Sequence, residues 1–173
     1  MNKIIVSILL FSLLSCHSKW SDSQIAAYSK LPSFDVLLED SLTHFNTQQI
    51  PQGKYSLLIY FSPDCEHCRA QAESLLANIK ALKDVQIYFL TAAPISELRS
   101  FSQTYHLDRH KNIMVAIDYQ FSFFRIFKVT SFPYIAIYDN NRQLVKLYKG
   151  ETDIHRIFTA LNVNINKEFY AAR

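Results

Sequence analysis

The sequence predicts a single α/β domain whose central sheet mixes parallel and antiparallel strands and is flanked by helices. Two observations point to this fold class. Short apolar runs rich in branched and aromatic residues alternate with stretches of helical periodicity, and the last two apolar runs are separated only by the polar turn at 139–142. A length of 173 residues suits one domain with flanking segments.

Six strands are predicted, at residues 33–38, 55–61, 85–90, 113–117, 134–138 and 144–148. The run at 55–61 is almost continuously apolar, as expected for a central strand that is covered on both faces. Four helices are predicted. The first begins at or near Cys65, the second is opened by Pro94, and a short one lies in the phenylalanine-rich segment 119–127, which we expect to be largely buried. The last helix is capped by Thr152 or Asp153.

Composition excludes several classes of function. The chain has only two glycines, which leaves no place for a glycine-rich phosphate loop or a dinucleotide fingerprint. The formal net charge is +3 and no basic run is longer than a pair, so we expect no nucleic-acid partner.

The N-terminus has the order of a secretory signal, because Lys3 precedes an apolar or small stretch at 4–15 that is shorter than the roughly 20 residues of a membrane span. Leu-Leu-Ser-Cys at 13–16 resembles the bacterial lipobox. We therefore predict a lipoprotein signal peptide at 1–15, a lipidated Cys16, a tether at 16–30, a domain at 31–163 and a polar tail at 164–173. An ordinary signal peptide that contains a cysteine, or a short signal anchor, is the alternative. Either way, the protein is expected to be exported to the bacterial cell envelope, and the lipobox adds a lipid anchor in the membrane.

If Cys16 is the anchor, one cysteine pair remains, Cys65 and Cys68. A cysteine at the N-terminus of a helix is favoured as a thiolate, because unpaired backbone N–H groups and the helix dipole favour an anion there. Cys68 follows one turn later and could attack a mixed disulfide formed on Cys65. The residues between them would tune the equilibrium: His67 brings positive charge that favours the thiolate, and Glu66 opposes it.

The segment Phe-Ser-Pro-Asp-Cys-Glu-His-Cys at 61–68, with Thr-Ser-Phe-Pro-Tyr at 130–134 before a strand hairpin, resembles the thioredoxin-like fold. Within that fold the chain is most similar to the TlpA/ResA-type membrane-anchored thiol-disulfide oxidoreductases. The resemblance implies disulfide exchange without a cofactor, with Cys65 as nucleophile and Cys68 as resolving cysteine. The expected partners are protein thiols or disulfides and a redox partner protein.

The resemblance also implies a cis peptide bond before Pro133 and pairing of the Phe132 backbone with the substrate backbone. The chain departs from the family at Ile59, where thioredoxins have a buried carboxylate that assists proton transfer. The base that deprotonates Cys68 is therefore unassigned, with Asp64, Glu66 or water as candidates.

Several alternatives stay open at this point. A metallochaperone could hold copper or zinc with Cys65, Cys68 and a histidine, although metal binding is not our first expectation. Such a histidine would be one of His67, His106 and His110. A non-catalytic binding module, a structural disulfide and a thiol peroxidase are the others; the last is disfavoured because Ser62 stands where a peroxidase has threonine.

Overall fold

The computed structural model describes residues 28–163. The predicted signal peptide, Cys16, most of the predicted tether and the tail at 164–173 lie outside the described residues. Within 28–163 the strands are β1 (Asp35–Leu38), β2 (His44–Asn46), β3 (Ser56–Tyr60), β4 (Gln86–Thr91), β5 (Ile113–Ile117), β6 (Tyr134–Tyr138) and β7 (Leu144–Lys149). The helices are α1 (Glu66–Ala77), α2 (Ile95–Thr104), α3 (Ser122–Phe127) and α4 (Ile154–Ala160).

The strands form one sheet in the order β2-β1-β5-β4-β3-β6-β7. The pairs β3–β4 and β4–β5 are parallel, whereas the pairs on both outer sides of this centre are antiparallel. The predicted fold class, a mixed sheet flanked by helices, is confirmed.

Each face of the sheet has its own apolar core, because successive strand residues point to opposite faces. In β3, Leu57 and Ile59 pack in the cluster that also contains residues of α1, α2 and α4. Leu58 and Tyr60 pack in the opposite cluster with residues of α3. All five β3 residues are buried, as the apolar run predicted.

The structure corrects two predictions about strands and burial. It adds the short strand β2, which pairs with β1 and has too few apolar residues to be recognised from sequence. The segment 119–127 is not largely buried: its helix begins only at Ser122, and Phe121 and Phe124 are exposed. A single helix presents only one face to the core, and here the inward positions are Phe123 and Phe127, spaced i and i+4.

Residues 28–30, which the sequence analysis assigned to the tether, are part of the fold. The side chain of Tyr28 is buried in the second core cluster. The carbonyl oxygen of Tyr28 accepts a hydrogen bond of 2.9 Å from the hydroxyl of Tyr138. Lys30 forms an isolated antiparallel bridge with Gln143. Aromatic packing therefore starts the folded part before residue 31.

Candidate active site

The sheet register brings three separate segments together at one end of the strands. Tyr60, the last residue of β3, pairs with Tyr134, the first residue of β6, and Tyr134 also pairs with Lys149 at the end of β7. The loop after β3 carries Cys65, the loop before β6 carries Pro133, and the loop after β7 carries Glu151. These three loops therefore meet beside the N-terminus of α1.

Cys65 is the N-cap residue of α1, with extended backbone angles and no capping hydrogen bond from its side chain. Its carbonyl oxygen accepts the first hydrogen bonds of the helix, from the N–H groups of Cys68 and Arg69, at 3.1 Å each. Its own N–H donates to the carbonyl of Ser62 at 3.1 Å. The sulfur is thus held at the positive end of the helix dipole.

Cys68 is placed quite differently, with only 2% of its surface exposed. Burial raises the pKa of its thiol to about 12. The neighbouring Cys65 side chain also raises this pKa, while a backbone hydrogen bond with Ser62 and the charge of Arg69 lower it. Both cysteines are free thiols in the structure. The pair therefore combines a partly exposed sulfur with a buried one that keeps its proton.

The loop before β6 contacts the exposed cysteine directly. The peptide bond between Phe132 and Pro133 is cis. The thiol of Cys65 lies 3.9 Å from the carbonyl oxygen of Phe132, within the range of a weak sulfur hydrogen bond. Pro133 has no N–H to donate, and its carbonyl oxygen accepts a 2.8 Å hydrogen bond from the N–H of Gly150.

The loop after β7 is tied to α1 at two points that sequence reasoning did not find. The Nδ1 atom of His67 lies 2.9 Å from Oε2 of Glu151, in a pair that is largely exposed. One turn further along the helix, Oε1 of the fully buried Gln71 accepts a 2.7 Å hydrogen bond from the N–H of Thr152. The turn glycine Gly150, with φ of +81°, was the available sequence signal for a tight loop at this point.

The candidate bases are not buried with the thiol of Cys68. Asp64 and Glu66, the candidate bases, are exposed. Ile59 is buried in the same apolar cluster as Cys68, which gives this thiol a hydrocarbon wall where the family has a carboxylate. The guanidinium of Arg69 donates to the carbonyl oxygen of Asp64 at 2.9 Å, which braces the loop before the cysteine pair.

Within residues 28–163, no three histidine, cysteine or acidic side chains are grouped so that they could hold a metal ion. In the same residues, none of the helices has both the length and the apolar character needed to cross a bilayer.

Comparison with known proteins identifies the fold family. A search of curated proteins gives no significant match. Among solved structures, a secreted disulfide oxidoreductase of Mycobacterium tuberculosis, described as homologous to E. coli DsbE, superposes with a TM-score of 0.64 at 18% identity, over 83% of this chain and 100% of that one. The thioredoxin domain of a Bacteroides vulgatus thiol-disulfide oxidoreductase gives 0.64 at 17%, over 79% and 97%.

The exposed lipoprotein thioredoxin of Streptococcus pneumoniae is also similar, with a TM-score of 0.59 at 21% identity, over 75% of this chain and 98% of that one. At such identities, these three similarities establish the fold alone. The thioredoxin-like domain family, in contrast, matches the sequence itself at residues 47–163, which is more than half of the chain. This chain therefore belongs to the thioredoxin-like domain family.

Proposed function

We propose that this protein is an exported thiol-disulfide oxidoreductase that exchanges disulfides with protein substrates through Cys65 and Cys68. One observation carries the proposal. Cys65 is partly exposed at the N-terminus of a helix, with its sulfur beside the Phe132 carbonyl, while Cys68 is buried one turn later. An accessible nucleophile and a protected second thiol are what a two-step exchange requires.

In the reducing direction, the thiolate of Cys65 attacks one sulfur of a substrate disulfide. A bond forms between Cys65 and that sulfur, the substrate disulfide breaks, and the second substrate sulfur leaves as a thiolate. Cys68 then loses its proton and attacks Cys65, which releases the first substrate sulfur. The protein has given two electrons and forms the Cys65–Cys68 disulfide, which a redox partner protein with a dithiol reduces again. The oxidising direction reverses these steps.

The second step needs a proton acceptor, because the pKa of Cys68 is raised to about 12. Water and the leaving substrate thiolate are the acceptors that this geometry favours, since Asp64 and Glu66 are exposed and Ile59 is apolar. Phe132 has the position to pair its backbone with substrate, because its carbonyl lies next to the attacking sulfur. His67 would tune the thiolate together with Glu151.

Export and lipid anchoring through Cys16 belong to the same proposal and rest on the lipobox at 13–16. The similarity to a secreted oxidoreductase and to an exposed lipoprotein thioredoxin supports the extracytoplasmic location. In a bacterial host, mass spectrometry of the N-terminus should find diacylglycerol on Cys16, and Cys16→Ser should release the protein from membranes. An unmodified, uncleaved N-terminus would contradict the anchor.

Trapping tests the exchange itself. The Cys68→Ser variant of the full chain should accumulate a mixed disulfide with a model protein disulfide, because Cys65 attacks but nothing resolves the product. The matched Cys65→Ser variant, which keeps only the buried thiol of the pair, should trap none through Cys68. Equal trapping by both variants, or by neither, would contradict the roles of the two cysteines. A non-catalytic binding module would bind its partner equally well with Cys65→Ser.

A further inference from the structure

An apolar groove of about 270 Å³ lies next to the cysteine pair and has no role in the exchange steps above. None of its lining residues has a charged side chain. They are Tyr60, Phe61, Ser62, Thr91, Ala92, Ala93, Phe121, Phe124 and Phe132.

Three phenylalanines of this groove are exposed to an unusual degree: 50% for Phe121, 39% for Phe124 and 36% for Phe132. A large apolar side chain that remains in water adds no burial free energy to the folded protein. A cluster of such exposed side chains therefore marks a binding surface. The ring of Phe132 stacks on Tyr60, with centroids 5.9 Å apart, so the groove has an aromatic floor as well as an aromatic rim.

The rim at Phe121 is held in place by its backbone. Phe121 has φ of +54°, in the left-handed region that bulky residues rarely occupy. Its N–H donates to the carbonyl oxygen of Asp118 at 2.9 Å, and its carbonyl accepts from Arg125 at 3.0 Å. The buried carboxylate of Asp118 also accepts hydrogen bonds from the N–H groups of Ser122 and Phe123, at 2.7 and 2.9 Å. The backbone that carries the exposed ring of Phe121 is therefore fixed before any ligand arrives.

Two residues that line the groove contact Cys65. Ser62 lines the groove, and its carbonyl accepts the hydrogen bond from the Cys65 N–H. Phe132 lines it from the other side, and its carbonyl lies 3.9 Å from the Cys65 sulfur. A polypeptide joined to Cys65 by a disulfide can therefore place a neighbouring residue over the groove.

The size and chemistry of the groove define its occupant. A cavity of about 150 Å³ is enough for benzene, while sites for drug-sized ligands begin at about 300 Å³. A groove of about 270 Å³ with aromatic walls lies between these limits and suits a single aromatic ring in stacked or edge contact.

We propose that this groove binds one aromatic side chain of the substrate polypeptide, one or two residues from the substrate cysteine, and so selects substrates. The inference rests on the proposed disulfide exchange and adds a substrate class to it.

The test uses short peptides with one cysteine held as a mixed disulfide with thionitrobenzoate, whose release is coloured. The residues flanking the cysteine are Phe, Ala or Asp, and glutathione disulfide serves as a probe without such a side chain. The reduced full-length chain should react at least about tenfold faster with the Phe peptide than with the Ala peptide, and slowest with the Asp peptide.

The Phe121→Asn, Phe124→Ser double variant should reduce this ratio to below about twofold; asparagine tolerates the left-handed backbone at 121. Tyr119→Ser, which removes an exposed ring outside the groove, is the matched control and should keep the ratio. The ratio is measured within each protein, so partial unfolding lowers both rates equally.

Three results would overturn the inference. A Phe-to-Ala ratio near one in the natural chain, with normal reduction of glutathione disulfide, would show that the groove does not select substrates, while the proposed exchange would stand. A high ratio that persists in the double variant assigns the preference to residues other than these phenylalanines. Failure to reduce any probe would contradict the proposed disulfide exchange, and the proposed substrate class would fail with it.

Discussion

The Nδ1 atom of His67 lies 2.9 Å from Oε2 of Glu151, which joins the helix of the cysteine pair to the loop after β7. Both side chains are largely exposed, at 68% and 47%, so the pair is worth no more than about 1 kcal/mol. In the proposed exchange, the pair would also tune the redox potential, because the carboxylate of Glu151 opposes any positive charge that His67 brings near a Cys65 thiolate.

Glu151→Gln should therefore raise the redox potential of the pair by up to about 20 mV, because it removes a negative charge that opposes the Cys65 thiolate of the reduced form. His67→Ala should lower the potential. The measurement is a redox titration of each variant. Asp84→Asn is the control, because Asp84 precedes β4 and lies at the opposite end of the parallel strands. A lower potential in Glu151→Gln would contradict this account.

The buried thiol of Cys68 makes the stability of the reduced protein depend on alkaline pH. Burial raises its pKa from 9.0 to about 12, so between these values the unfolded chain loses the proton and the folded chain keeps it. The contribution of Cys68 to the free energy of unfolding is complete below pH 9 and falls by about 1.4 kcal/mol per pH unit above it.

Urea unfolding of the reduced protein at several pH values checks this dependence. Cys68→Ala should show a shallower alkaline decline than the natural chain, while the buried tyrosines contribute equally to both proteins. Parallel curves for the two proteins would show that the fold does not perturb the thiol.

Gln71 should stabilise the contact between α1 and the loop after β7, because its side-chain oxygen accepts a buried hydrogen bond from the N–H of Thr152. Gln71→Leu leaves that N–H without its partner, which costs about 1–3 kcal/mol. The exposed Gln103→Leu on α2 is the matched control and should change stability by less than about 0.5 kcal/mol. Urea unfolding compares the two variants, and an equal effect of both would contradict the role of Gln71.

Local patterns predicted much of this fold. The strand β3 follows from a continuous apolar run and the helix after Cys65 from a periodicity of 3.6 residues, and both signals depend on neighbours in sequence. The contact of His67 with Glu151 depends instead on the register that pairs Tyr60, Tyr134 and Lys149, and no local pattern encodes that pairing.

The phenylalanine-rich segment shows the same limit. Its composition predicted burial, but a helix of six residues has room for only two inward rings, Phe123 and Phe127. Which rings remain outside depends on where the helix begins, and this start depends on the buried Asp118 that caps it. Sequence periodicity over so short a segment does not determine that start.

The most direct test of the central claim is a redox titration of the full-length chain in graded thiol and disulfide buffers. Alkylation followed by peptide mapping would report Cys65 and Cys68 separately from Cys16. The account predicts one two-electron transition in which both cysteines are oxidised together, at a potential between about −270 mV, typical of a reductant, and about −120 mV, typical of an oxidant. Cysteines that stay reduced in every buffer, or that oxidise independently of each other, would contradict it.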